Sequence, residues 1–154
     1  MEGYHSLTMT FIESAFGSIV NTIGRLPAET GGVLMGNEND YVIRKFIFDK
    51  KAKTTDCTYT FDTEYLNHEI HKVWEEEQLV CIGIIHSHPF GCECLSNEDV
   101  RYFNNLFNHI HRPLLLTPIV QTMNDGIFKI IPYILFNKSC SAVKADMIKI
   151  ISDN

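Results

Sequence analysis

Two histidines and one aspartate carry the clearest chemistry in this chain. His86 and His88 close an almost wholly apolar run from Leu79 to Ile85. Side chains in a strand repeat every two residues, so both imidazoles project to one face and can grip one ion. Pro89 stops the strand, and a loop with Gly91 leads to a helix for which Ser96 is the natural N-cap. That helix carries an apolar stripe at Val100, Phe103, Phe107 and Ile110, and counting back four residues from Phe103 lands on Asp99. A carboxylate in line with a buried stripe needs a compensating partner, because desolvating it unpaired is costly. A divalent metal shared with the two histidines would supply that partner.

Plainer readings fit the same residues. Ser-x-x-Asp at a helix start is close to a capping box, whose side chains only satisfy backbone donors. His-x-His at a strand end is also what a hydrogen-bonded polar cluster looks like. The combination points further: two strand histidines and one acid on the next helix make three protein ligands. The fourth tetrahedral position is then left to water, the arrangement of a catalytic zinc site.

The run His86-Ser87-His88, seven residues, then Ser96-x-x-Asp99 resembles, without gap or mismatch, the JAMM signature of the MPN (Jab1/Mov34/PAD-1) zinc metalloproteases. That family also places a glutamate upstream, just before a glycine-containing strand. Glu29 in Glu29-Thr-Gly-Gly-Val-Leu-Met-Gly36 is similar to it. This stretch and the lack of long insertions resemble the compact prokaryotic, deubiquitinase-like JAB branch, over the element order from roughly residue 8 to 136.

The resemblance implies a single-domain, cytidine-deaminase-like α/β fold with a mixed central sheet flanked by helices. It implies one catalytic Zn2+ held by His86, His88 and Asp99, with Glu29 as general base and Ser96 as hydrogen-bond donor to the oxyanion. It further implies a ubiquitin-like protein or its conjugates as substrate, cleaved after a C-terminal glycine tail in deconjugation or precursor processing. A bacterial antiviral conjugation system is one setting it implies, and a sulfur-carrier pathway another. A peptidase acting on sulfur-carrier adducts or small peptides is the alternative within the enzyme class. A noncatalytic MPN scaffold would have lost metal ligands, and none is missing here. A zinc nucleobase deaminase shares the fold class but requires His-x-Glu and then Pro-Cys-x-x-Cys, which Cys92-Glu93-Cys94 does not provide.

Stepping outward, 154 residues with 45% hydrophobic content suit one domain, 1–154, with a real core. Thirteen basic against 19 acidic residues give a net charge of −6, so no basic footprint for phosphate backbones exists and nucleic-acid binding is disfavoured. No apolar segment approaches a membrane span, and the N-terminus lacks signal-peptide architecture. A cytoplasmic protein is expected. Five scattered cysteines argue against a disulfide framework. Cys81 reads as a core residue, and Cys92 and Cys94 as plain loop thiols between the histidines and Ser96; the alternative is that one of them approaches the metal or senses oxidants, since a nearby cation acidifies a thiol. Nothing in the sequence specifies an oligomeric state.

The elements that must position these residues follow from periodicity. Ile12, Phe16, Ile19, Val20 and Ile23 predict a first helix over 9–24, closed by Gly24 and Pro27 before the turn to Glu29. Val33-Leu34-Met35 begins a buried strand, and Tyr41–Asp49 reads as a second, hairpinned to it. Lys50–Thr55 reads as a polar connection, Cys57–Phe61 as a strand, and 63–77 as a helix with a buried stripe at Leu66, Ile70, Val73 and Trp74. His68 and His71 on that helix have no third ligand in view. Leu114–Met123 and Ile127–Phe136 read as two strands joined by Asn124-Asp125-Gly126, a hairpin signal. Residues 137–154 form an extension that is either helical or strand-like.

Overall fold

Thr8 to Ile12 alternates threonine with buried Met9 and Phe11, and this period of two makes it a strand, β1 (Thr8–Ile12). The helix expected over 9–24 is therefore shorter: α1 (Glu13–Asn21) begins only where the alternation stops. The computed structural model describes residues 6–26, 29–54, 59–122, 127–139 and 141–154. β2 (Gly31–Gly36) and β3 (Ile43–Phe48) form the expected antiparallel hairpin. The polar connection expected at 50–55 instead contributes β4 (Lys53–Thr54), which pairs with β5 (Tyr59–Thr60) in a separate ribbon. Cys57, at the start of the strand expected there, lies outside the described residues.

The helix expected over 63–77 is α2 (Thr63–Glu77), capped by Asp62, whose side chain accepts from Tyr65 N at 2.9 Å. Leu66 and Val73 are buried, but Trp74, placed in the stripe by periodicity, is 51% exposed at the helix edge. The histidine run is β6 (Val80–His88), and the helix after it is α3 (Asn97–Leu106).

The two long C-terminal strands are each broken by a proline, which cannot donate to a ladder. Pro118 separates β7 (Leu114–Leu116) from β8 (Ile119–Thr122), and Pro132 separates β9 (Phe128–Ile131) from β10 (Tyr133–Phe136). β8 and β9 pair antiparallel as a hairpin requires, while Asn124-Asp125-Gly126 lies outside the described residues. The tail is strand: β11 (Val143–Lys144) pairs with β10, and β12 (Met147–Ile151) pairs in parallel with β1 from Thr8↔Met147 to Ile12↔Ile151. The sheet thus extends past residue 136.

The sheet runs β11-β10-β7-β6-β2-β3-β1-β12, with β8 branching from β6 to carry β9. On one face, α1 packs Ile19 against Phe11, Leu34, Ile82 and Ile85. On the other, α2 covers Val33, Met35 and Ile47 with Leu66 and Val73, and α3 covers Ile84 and Leu115 with Phe103. The result is a mixed α/β domain with helices on both faces of its sheet, as the resemblance implies. Among the described residues no helix is long and apolar enough to cross a membrane.

β6 runs between β2 and β7, and Gly83 is where β7 comes closest. A Cβ there would fall onto the Leu116 carbonyl oxygen and sit 2.8 Å from Leu116 Cβ. Gly83→Ala is expected to destabilise the domain by about 1–3 kcal/mol, as overpacking of a rigid interior does. A shift in denaturation midpoint at unchanged slope checks this.

Candidate metal centre

β6 passes Leu34↔Gly83 and then Met35↔Cys81 against β2, so Ile82 is an extra, bulged residue. Beyond it the alternation is regular. Ile84 packs under Phe103 of α3, and His86 and His88 continue on that face, two and four residues on. Both imidazoles are buried, at 3% and 6% exposure. The Phe103 ring meets His86 edge-on at 6.1 Å between centroids, which places the N-terminal turn of α3 directly over the histidines.

That turn delivers Asp99. Ser96 is the N-cap, accepting from Asp99 N at 3.0 Å, and Asp99 Oδ2 accepts from Ser96 N at 2.9 Å, which completes the capping box. The same Oδ2 lies 3.4 Å from His86 Nε2 and 3.3 Å from His88 Nε2. The carboxylate that closes the capping box is thus the same one that faces both histidines, and one side chain could serve both purposes. The box fixes the oxygen that faces the histidines.

His86, His88 and Asp99 each offer one ligand atom within a 4.8 Å group. A tetrahedral zinc with bonds of about 2.0–2.1 Å keeps its donors about 3.3 Å apart. The two nitrogen-to-oxygen separations match that spacing. The two Nε2 atoms, at 2.7 Å, lie closer and would have to part slightly. Burial pushes the His86 pKa below its ordinary value, against the opposing pull of Asp99, which favours the neutral, ligating form. Burial alone would raise Asp99, but hydrogen bonds with His86 and His88 outweigh it and hold the carboxyl well below the usual range. Among the described residues no Lys or Arg lines the cleft around these groups. A divalent cation suits this donor set, and His86, His88 and Asp99 could hold one.

Glu29 arrives on the entrance to β2. Gly31 pairs with His86, and the antiparallel register is extended by Ser87 N donating to Thr30 O at 2.7 Å and Thr30 N donating to Ser87 Oγ at 2.9 Å. One residue further back, Glu29 lies toward His88 and lines the same cleft. Burial raises its pKa above the ordinary carboxylate value, tempered by His88 and reinforced by Asp99. The five positions expected from the sequence thus lie around one cleft of about 700 Å3.

Cys92 and Cys94 are exposed and line this cleft, and neither belongs to the three-residue ligand group. The Cys92 carbonyl lies 3.3 Å from His88 Nδ1 and can accept its hydrogen, which would leave Nε2 free to ligate. Cys81, expected in the core, is partly buried against the cluster under α2, and desolvation pushes its pKa up to about 11. His68 and His71 sit on the exposed side of α2 beside Glu69 and Glu75, at 3.5 and 3.0 Å, and join no metal-ligand group among the described residues. What sequence reasoning missed is the aromatic part of the lining: Tyr59, Phe61 and Tyr102, with the Phe61 and Tyr102 rings stacked at 5.0 Å. The only sequence signal was the aromatic pair flanking Thr60.

No curated protein sequence matches the chain. Among solved structures, the solution structure of a protein from Desulfitobacterium hafniense superposes with a TM-score of 0.70 at 17% identity, covering 94% of this chain and 93% of that one. At that identity the likeness speaks for the fold. The family model described as prokaryotic homologs of the JAB domain matches residues 19–128, a span that contains Glu29, both histidines, Ser96 and Asp99. Because the match runs over well more than half of the sequence, this chain belongs to the prokaryotic JAB-domain family.

Proposed function

We propose that this protein is a zinc-dependent isopeptidase or peptidase that cleaves after the C-terminal glycine tail of a ubiquitin-like protein, in deconjugation or precursor processing. The observation that carries the reading is the convergence of His86, His88 and Asp99 with Glu29 in one cleft. A noncatalytic scaffold has no need of a complete donor set with both imidazoles buried.

Zinc, when held by those three side chains, supplies Lewis acidity that brings the pKa of a bound water to near 7. Glu29, raised by burial, is suited to take a proton from the attacking water and pass it to the departing amine. The Ser96 hydroxyl accepts from Asp99 N, so its own hydrogen is free to donate to an oxyanion in the cleft. One such donor can be worth about 3 kcal/mol. The stacked Phe61 and Tyr102 rings line the cleft together with Pro89 and Cys92. A tail of small residues suits such a slot.

The test is incubation with a ubiquitin-like protein fused through a Gly-Gly tail to a reporter, with and without a zinc chelator. Chelator-sensitive release of the reporter after the second glycine is expected. Cleavage of short peptides but of no such fusion would favour the small-peptide or sulfur-carrier reading. No hydrolysis of either by zinc-loaded protein would leave a scaffold. A bacterial antiviral conjugation system is the setting we favour, and the modifier it employs is the natural substrate to try first.

A further inference from the structure

The two histidines are held in different ways. His88 has a carbonyl, that of Cys92, 3.3 Å from its Nδ1. His86 Nδ1 is buried and has no hydrogen-bond partner among the described residues. Metal-binding imidazoles are ordinarily oriented through this second nitrogen, so something else must fix the His86 ring.

A row of residues across three strands supplies it. Asp49, at the end of β3, is 3% exposed, and its backbone N donates to Gly31 O at 2.9 Å. Gly31 in turn pairs with His86. Above this row lies Tyr59 from β5, its ring nearly parallel to His86 at 16° and 6.5 Å between centroids. A Cβ on Gly31 would sit 2.7 Å from Tyr59 Cε1 and 3.0 Å from His86 Cβ, so the missing side chain is what lets the two rings share that space. The Tyr59 hydroxyl donates to Asp49 Oδ2 at 2.9 Å, and the same oxygen accepts from Asp62 N at 2.9 Å. Burial first, then the Asp49 charge, push the Tyr59 pKa far above the ordinary tyrosine value, so the hydroxyl stays a donor.

We propose that Asp49 and Tyr59 are positioning residues for the metal centre: Asp49 tethers the Tyr59 ring, and that ring, together with the edge-on Phe103, sets the orientation of His86. The proposal rests on the reading that His86 is a metal ligand. Asp49 also holds the start of α2, so its loss must be separated from general destabilisation.

The experiment compares wild type with Asp49→Ala, Asp49→Asn, Tyr59→Leu and Tyr59→Phe, each below its melting temperature. Zinc affinity is measured by competition with a chromogenic chelator, and site geometry by the visible absorption of the cobalt-substituted protein. Asp49→Ala and Tyr59→Leu are expected to weaken zinc about 10–100-fold and to shift the cobalt bands, the range typical of outer partners of a ligand. Asp49→Asn keeps an oxygen that can accept from Tyr59 and Asp62, and should restore wild-type affinity and spectrum. Tyr59→Phe keeps the ring and loses the tether, so its spectrum should shift with a smaller affinity loss. If Asp49→Ala does not fold, the contrast between Asp49→Asn and Tyr59→Phe decides. Lowered melting temperatures with unchanged affinity and spectra would overturn the proposal and leave a structural anchor. A wild-type protein that binds no stoichiometric metal would instead sink the parent reading.

Discussion

Glu29→Gln is expected to take up zinc like the wild type and to lose turnover by about 10²–10⁴-fold, the usual worth of a positioned general acid–base. Glutamine has nearly the same shape, so the β2 entrance and the Thr30–Ser87 bridge at 2.7 and 2.9 Å should stand. What disappears is a group that can accept a proton. The register argues for this residue: Gly31 pairs with His86, and the backbone pairing continued through Thr30 and Ser87 brings Glu29 to the His88 end of the cleft. The check is steady-state hydrolysis of the Gly-Gly fusion together with metal content of the same preparation. Full turnover would remove Glu29 from this role. Lost turnover with lost zinc would make it a ligand or an anchor.

Asp99→Ala is expected to lose the metal altogether and hydrolysis with it. Asp99 is the one anionic donor of the set, and its Oδ2 lies 3.3–3.4 Å from both imidazole nitrogens. The substitution also removes half of the capping box on α3, at a cost of about 0.5–2 kcal/mol, the range of helix caps. Asp99→Asn separates the two roles. Its amide oxygen can still accept from Ser96 N, so α3 should keep its stability, while the loss of charge should still weaken metal binding severely. Metal content and thermal melting of the two variants, measured side by side, decide the matter. Zinc retained by Asp99→Ala would exclude it as a ligand.

The candidate metal-ligand cluster is legible in the sequence because it rests on local periods. A strand's period of two puts His86 and His88 on one face, and a helix start after Ser96 puts Asp99 at the third helical position. Both facts need only a few residues of context. The first helix is shorter than its periodicity predicts because Ile12, Phe16, Ile19 and Ile23 keep helical spacing, yet Met9 and Phe11 alternate with Thr8 and Thr10 and pair with β12. That pairing joins residues about 140 apart and leaves no local trace. Pro118 and Pro132 were visible, and their consequence follows from a missing N–H donor, but the runs around them are apolar enough to read as unbroken strands. Tyr59 and Asp49 were not legible at all. Their roles depend on a two-residue ribbon folding over Gly31, and neither an acid at a strand end nor a tyrosine beside a threonine announces that.

Zinc K-edge X-ray absorption on the purified, zinc-loaded protein tests the central claim most directly, because it reports the atoms around the metal without reference to any substrate. The expected result is one zinc per chain, with two imidazole nitrogens and light oxygen donors at about 2.0–2.1 Å and no sulfur. A sulfur shell at about 2.3 Å would bring Cys92 or Cys94 into the coordination sphere in place of the proposed ligands. Absence of stoichiometric zinc would leave the His86, His88 and Asp99 cluster as a polar network capping a helix.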